Sequence, residues 1–189
     1  VFTESGAFKA LTLDLCEQLG LPLPALSDTA ANALRAVLPD FIPATNPLDI
    51  TAQGLVNPDL YRQCIPPVLA DDRFGSLVLT IILTDESTST LKFPPIIEAL
   101  KEINPTKPVL FAGLDEGAPI SQAYVDQLRE LGVPFFPSTE RAFRALAHVT
   151  RHSARRANPE APYDFATARL TLPSGVIPEY KSKQILAGL

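Results

Sequence analysis

The chain has 189 residues, 46% of them hydrophobic, which is enough for one α/β domain with some additional sequence. Its net charge of -5 at pH 7 argues against a nucleic-acid-binding surface. The longest apolar run, residues 77–83, is too short to cross a bilayer, so no membrane segment is expected. Cys16 and Cys64 do not form a CxxC pair and are expected to be small buried side chains of a cytoplasmic protein.

The first 20 residues predict the end of a strand at Val1–Thr3, a tight turn and an amphipathic helix. Ser5 is a good N-cap for this helix. Four apolar side chains recur at helical spacing and are expected to form its buried stripe: Phe8, Leu11, Leu15 and Leu19. The sequence does not start with methionine, and we expect it to be a piece of a longer protein.

Helices and strands alternate along the rest of the first 156 residues. The run 76–83 has no polar alternation and many β-branched residues, which is typical of a parallel strand buried on both faces. The other predicted elements are a helix over 28–38, a short strand at 41–42, a helix over 57–70 kinked or split at Pro66 and Pro67, a helix ending near 103, a strand over 108–112, a helix from 117 or 118 to 131, a strand over 133–136 and a helix over 138–155. Repeated β-α-β units with short connections predict an α/β fold, a flavodoxin-like open parallel sheet with helices on both faces.

The composition changes after the last of these helices. We expect one domain over 1–156, a linker over 157–176 with an extended segment at 165–172, and the start of a second domain over 177–189.

Two polar loops are the strongest candidate sites. Glu4, Ser5, Gly6 and Ala7 form the first, and Thr84, Asp85, Glu86 and Ser87 form the second. Both follow predicted parallel strands, and ligands of open α/β sheets bind at the carboxyl ends of strands. Backbone N–H groups at such helix starts favour carboxylate or phosphate. Ordinary turns with good helix caps explain the same residues equally well, so both interpretations stay open.

The sequence lacks the motifs of several well-known catalytic and nucleotide-binding sites. It has no GxSxG elbow, no GxGxxG and no P-loop. His148 and His152 lie four residues apart on one predicted helix, but the spacing indicates no third ligand, so no metal site is expected. The basic residues around 151–156 are interpreted as a solvated helix end.

Three segments resemble the NDP-forming acyl-CoA synthetases, the ADP-forming acetyl-CoA synthetase group related to succinyl-CoA synthetase. The opening TESGAFKALTLDLCEQLGLPLPALS is similar to the family's strand, Asn-Ala-Gly-Gly-like loop and helix. The segment from Asn46 to Thr51 resembles its Asn-Pro-Val-Asp-Leu-Thr motif. GVIPEYKSKQILAGL resembles the helix that leads into the family's ATP-grasp domain. In this order the three segments span nearly the whole chain.

The resemblance implies a ligase that converts a carboxylic acid, ATP and CoA to acyl-CoA, ADP and phosphate through an acyl phosphate and a phosphohistidine. ATP/ADP, CoA and Mg would belong to the full-length protein, with none bound by this piece alone. The expected partners are the acid substrate and the CoA-binding and ATP-grasp domains of the same protein, which would be a homo-oligomer. The phosphorylated histidine is expected upstream in a Ser-His-Thr-Gly motif, so this piece should contain no catalytic residue and be inactive.

The resemblance also implies substrate or phosphate binding by both loops and by Asn46 and Asp49. Glu4 stands where the family often has Asn. A carboxylate at that position repels an anion unless it is protonated or paired. An alternative from another class is a ligand-sensing regulatory module of an acyl-CoA synthetase-like protein acetyltransferase.

Overall fold

The computed structural model describes residues 1–114, 116–157 and 175–187. Its strands are β1 (Phe2–Thr3), β2 (Leu48–Asp49), β3 (Leu77–Ile81), β4 (Val109–Gly113) and β5 (Phe135–Phe136). Its helices are α1 (Gly6–Leu19), α2 (Asp28–Arg35), α3 (Gln53–Val56), α4 (Asp59–Ala70), α5 (Glu86–Ile103), α6 (Gln122–Glu130), α7 (Thr139–Ala157) and α8 (Glu179–Leu186).

The five strands form one parallel sheet in the order β2-β1-β3-β4-β5. This is the flavodoxin-like order, and it confirms the predicted fold class. The strand order reverses at β1, which has β2 on one side and β3 on the other. The carboxyl ends of β1 and β3 are therefore neighbours at one edge of the sheet.

Helices cover both faces of this sheet. Alternate residues of β3 and β4 point to opposite sides, as the two-residue period of a strand requires. Leu79 and Phe111 belong to the larger core, which also takes side chains from α2, α4, α5 and α6. Val78 and Leu110 belong to the smaller core, with Cys16 of α1 and two residues of α7.

Cys16 and Cys64 are both free and buried, as predicted. The predicted buried stripe of α1 is partly wrong, because Leu11 is 47% exposed. Phe8 is buried as predicted, and the other buried residues of the helix are Thr12 and Cys16. Their spacing of four residues places them on the same face of the helix. A threonine therefore takes a place in the stripe that an apolar pattern assigns to leucine.

Three other predictions were wrong in detail. The segment Phe41–Ile42 forms a turn, closed by a hydrogen bond from Ile42 N to Pro39 O, and β2 comes later in the chain. Of the kink or split predicted at Pro66 and Pro67, the split does not occur, because helix α4 is continuous across both prolines. Helix α6 begins at Gln122, several residues after the predicted start, and Ser121 before it has an extended backbone.

The chain divides into two compact units, Val1–Thr150 and Arg151–Leu189. The second contains the end of α7 and all of α8, which begins after Pro178 close to the predicted start. Residues 158–174 of the predicted linker, with its extended segment at 165–172, lie outside the described residues. In the described ranges, the helices are all too short or too polar to cross a membrane.

Candidate functional site

The first loop (residues 4–7) and the second loop (residues 84–87) lie at the carboxyl ends of adjacent strands. Thr3 of β1 pairs with Thr80 of β3, and each strand ends within one residue of that pair. Both loops lead directly into a helix, α1 or α5. The structure thus brings together the two loops that the sequence singled out, with two helix N-termini at one edge of the sheet.

The first loop caps α1. Ser5 has an extended backbone, and its Oγ accepts a hydrogen bond from Ala7 N at 3.3 Å. Gly6 and Ala7 are exposed at the start of the helix. The first residues of α1 therefore face solvent, and the Ala7 N–H is satisfied by the Ser5 hydroxyl oxygen.

The second loop caps α5 with a reciprocal pair of hydrogen bonds. Asp85 Oδ1 accepts from Thr88 N at 2.8 Å, while Thr88 Oγ1 accepts from Asp85 N at 3.2 Å. The pKa of Asp85 is lowered, mainly by the hydrogen bond from the Thr88 backbone and next by the one from the Ser87 hydroxyl. All four residues of the loop are exposed. Glu86 and Ser87 line a shallow, open depression together with Thr90 and Leu91.

Asp49 lies beside the first loop. It ends β2, pairs in register with Thr3, and its Oδ1 accepts from Thr51 N at 2.8 Å. Its Oδ2 lies 3.8 Å from the point that a Cβ of residue 6 would occupy. Asp49 thus adds a carboxylate oxygen next to the start of α1.

Asn46 makes contacts within the framework. Its Oδ1 accepts from the Val1 nitrogen at 2.8 Å, and its Nδ2 donates to Pro24 O at 2.9 Å. The peptide bond to Pro47 is cis. These contacts hold the start of β1 against the segment that leads into β2.

Glu4 is buried, with 6% of its surface exposed. Its Oε1 accepts from Lys92 Nζ at 2.5 Å and from Ile82 N at 2.6 Å, and its Oε2 accepts from the Tyr61 hydroxyl. Lys92 is also buried, and its Nζ donates a further bond to Ile82 O. The charge that would repel an anion at the first loop is therefore paired inside the protein.

Tyr61 of α4 completes this cluster. Its side chain is fully buried, and burial followed by the charge of Glu4 raises the pKa of its hydroxyl far above the ordinary value. The hydroxyl stays protonated and donates to Glu4. Gly54 of α3 lies against this hydroxyl so closely that a Cβ would overlap it. We call Glu4, Lys92 and Tyr61 the edge cluster.

Sequence reasoning did not find Lys92 and Tyr61. A signal for Lys92 was present, because it lies on the same face of α5 as the buried residues Ser89, Phe93 and Ile96. A lysine in such a stripe needs a buried partner. The partner, Glu4, is 88 residues away in the sequence, and local spacing does not reveal it.

No group of three or more metal-ligating side chains occurs among residues 1–114, 116–157 and 175–187. His148 and His152 lie on α7, which follows β5, far along the chain from both loops. The sequence gives them no role at the edge, and the described contacts add none.

Comparison with known proteins decides the family. The Ligase-CoA domain family matches residues 1–158, which is most of the chain. The chain belongs to this family. It is 46% identical over all its 189 residues to a trans-feruloyl-CoA synthase from an unknown prokaryotic organism. It is 29% identical over 142 residues, 74% of the chain, to the alpha subunit of an ADP-forming acetate–CoA ligase II of Pyrococcus furiosus.

The fold has solved counterparts. The apo dinucleotide-forming acetyl-coenzyme A synthetase 1 of Candidatus Korarchaeum cryptofilum matches with a TM-score of 0.69 and 22% identity, over 82% of this chain and 33% of that one. This Ligase-CoA chain spans 27% of the length of the feruloyl-CoA synthase and 30% of that of the acetate–CoA ligase subunit. The domain is thus one part of each longer relative.

Proposed function

We propose that this Ligase-CoA domain is part of an acyl-CoA synthetase that makes acyl-CoA from a carboxylic acid, ATP and CoA, with ADP as product. The reaction would pass through an acyl phosphate and a phosphohistidine. CoA-binding and ATP-grasp domains would belong to the same protein, with residues 177–189 leading into the latter and Mg accompanying the nucleotide. The observation that carries the proposal is the pair of exposed helix N-termini at one sheet edge, in a chain of this family.

The geometry supports phosphoryl transfer. Backbone N–H groups at the start of α1 and α5 donate hydrogen bonds, and the two helix dipoles favour negative charge there. Such fixed donors stabilise a phosphoryl group without rearranging during transfer. The hydroxyls of Ser5 and Thr84 would add donors at the same edge, whereas the Ser87 hydroxyl already donates to Asp85.

The acidic residues at this edge fit a phosphohistidine better than a free phosphate. A phosphohistidine presents phosphoryl oxygens, which accept hydrogen bonds, and its other ring nitrogen donates one when the ring is protonated. Asp49 Oδ2, beside Gly6, is suited to accept from such a ring. Asp85 is already bonded to its own helix and acts by holding the N-terminus of α5 in place.

Turnover by the whole protein that contains this chain tests the proposal. We expect CoA-dependent formation of ADP and acyl-CoA with at least one member of a panel of aromatic and aliphatic acids. With ATP alone, we expect an acid-labile phosphoryl group on a histidine outside this domain. Absence of turnover with every acid would contradict the proposal and favour a ligand-sensing role.

Two exposed alanines on α1 test the position of the site. Ala7 lies at the start of the helix and Ala10 lies almost one turn later. Ala7→Phe should slow phosphoryl transfer by about 10-fold or more, because small displacements of reacting groups have large effects on rate. Ala10→Phe is the matched control and should stay within about twofold of the native rate. Equal rates for both variants would remove the first loop from the site.

A further inference from the structure

We infer that the edge cluster is a positioning device that couples the first loop to the second, so that both helix N-termini are held as one unit. The inference rests on the proposed function for its catalytic consequence, while the coupling itself is a property of the fold. Glu4 then acts through the loops, as a positioning residue.

The contacts of Glu4 join the first loop to residues on either side of the second loop, Ile82 before it and Lys92 after it. Glu4 belongs to the first loop, and its Oε1 accepts from Ile82 N, two residues past the last β1–β3 pair. Lys92 lies in the second turn of α5 and donates both to Glu4 and to Ile82 O. A shift of the second loop with α5 therefore pulls on the first loop through buried bonds.

Tyr61 and Gly54 extend the coupling to helices α4 and α3. Tyr61 donates to the second oxygen of Glu4, and its hydroxyl rests against the backbone of Gly54 in α3. The Glu4 carboxylate accepts three hydrogen bonds, from Ile82 N just past β3, from the Tyr61 hydroxyl of α4 and from Lys92 Nζ of α5. A carboxylate with both oxygens bonded in this way is well suited to fix geometry and poorly suited to take up a ligand.

The opposite charges of Glu4 and Lys92 also favour a positioning role for Glu4. A buried ion pair is seldom the most stable filling of a core, since apolar side chains of similar volume are often at least as stabilising. Buried and directional bonds do, however, define one arrangement of their partners. Lys92 neutralises Glu4 internally, which removes one carboxylate from those that an anion at the exposed helix starts would meet.

Amide hydrogen exchange in the whole protein tests the coupling independently of activity. In Lys92→Met, peptides covering both loops should exchange at least about 10-fold faster than in the native protein. Lys101→Met, on an exposed position of the same helix, should change neither loop. Faster exchange confined to the second loop would overturn the coupling. If Lys92→Met does not fold, Tyr61→Phe replaces it, with a smaller increase expected in both loops.

Kinetics separate positioning from direct substrate contact. Glu4→Gln should lower kcat about 10-fold and leave the KM values for acid and ATP within twofold, since the loops move but their surface is unchanged. Glu4→Asp keeps the charge, yet its shorter side chain should not restore kcat. A raised KM for the acid, restored by Glu4→Asp, with unchanged loop exchange, would overturn the inference. A native protein without turnover would contradict the proposed function, and the exchange result would still decide the coupling.

Discussion

Buried polar groups make different contacts at the two ends of the parallel strands, the carboxyl end (the carboxyl edge) and the amino end (the amino edge). At the carboxyl edge, Glu4 and Lys92 bond to each other and to Ile82, which lies two residues past the last paired residue of β3. At the amino edge, Asp71 accepts from the backbone of Ser27 and Arg73, at 2.7 and 3.1 Å. The first arrangement joins the side chains of separate elements to one another, whereas the second joins one side chain to backbone N–H groups, that of Ser27 at the start of α2 and that of Arg73.

Lys107, just before β4, also bonds to backbone and not to a buried side chain. Its Nζ donates to Leu69 O and Asp71 O, two carbonyls at the end of α4, at 2.9 and 2.8 Å. Its carboxylate neighbour, Asp72, is exposed, at 3.8 Å. Contacts of this kind are worth little when the partner is solvated. The buried pair of Glu4 and Lys92, at the carboxyl ends of the strands, therefore links separate elements. The solvated contact of Lys107 with Asp72, at the amino ends, is expected to contribute little.

Lys92→Met gives the largest expected effect. Removing the cation leaves Glu4 buried with an uncompensated charge, which costs about 3–5 kcal/mol of unfolding free energy. Urea denaturation of the 189-residue chain measures the loss. Lys101→Met, the exposed control, should change stability by about 0.5 kcal/mol or less. A loss below about 1 kcal/mol for Lys92→Met would show that the two edges do not differ in this respect.

Tyr61→Phe is expected to come next. The variant removes one donor to a buried carboxylate, at a cost of about 1.5–3 kcal/mol. Tyr124→Phe is the control, because Tyr124 stacks on Phe93 through its ring and the substitution keeps that ring. Thermal and urea unfolding should both rank the variants in this order. Equal stability of the two variants would contradict the bond to Glu4.

Gly54→Ala should destabilise by about 1–3 kcal/mol, since the added methyl overlaps the buried Tyr61 hydroxyl. The sign is informative, because Gly→Ala in a helix is otherwise favourable. Gly75→Ala is the matched control, with open space around its Cβ position. A neutral or stabilised Gly54→Ala would mean that Tyr61 is not held against α3.

Asp71→Asn should have the smallest effect, and it should depend on pH. Burial alone would raise the pKa of Asp71, but bonds from the Ser27 and Arg73 backbone lower it below its ordinary value. A depressed pKa stabilises the fold above the unfolded value, near 3.9, and this contribution is lost as pH falls through the folded value. The stability difference between native and Asp71→Asn should therefore be constant near neutrality and shrink below about pH 4. A difference that grows on acidification would contradict the assignment.

Much of the fold follows from local pattern. The run that becomes β3 is apolar without alternation, and the caps at Ser5 and Asp85 are written in a few adjacent residues. The five-strand order and both candidate loops were predicted from such signals. The error at Leu11 has a different origin, since burial on α1 depends on which face meets α7 and the sheet.

The edge cluster lay beyond that reasoning for a physical reason. Glu4 looked unsuitable for an anion site because its charge was read alone, and a charge is judged by its partner. The partner comes from α5 and the third donor from α4, so the cluster exists only after the sheet has assembled. Asn46 and Asp49 were assigned from a motif, and their substrate roles stay predictions.

A double-mutant cycle on Glu4 and Lys92 measures whether the two buried charges act as a pair. Urea unfolding of the native chain, Glu4→Gln, Lys92→Met and the double variant gives the interaction energy of the pair. We expect the double variant to lose clearly less than the sum of the single losses, by more than about 1 kcal/mol, because neither charge is then left alone. Additive losses would contradict this expectation and would show that Glu4 and Lys92 do not act as a pair.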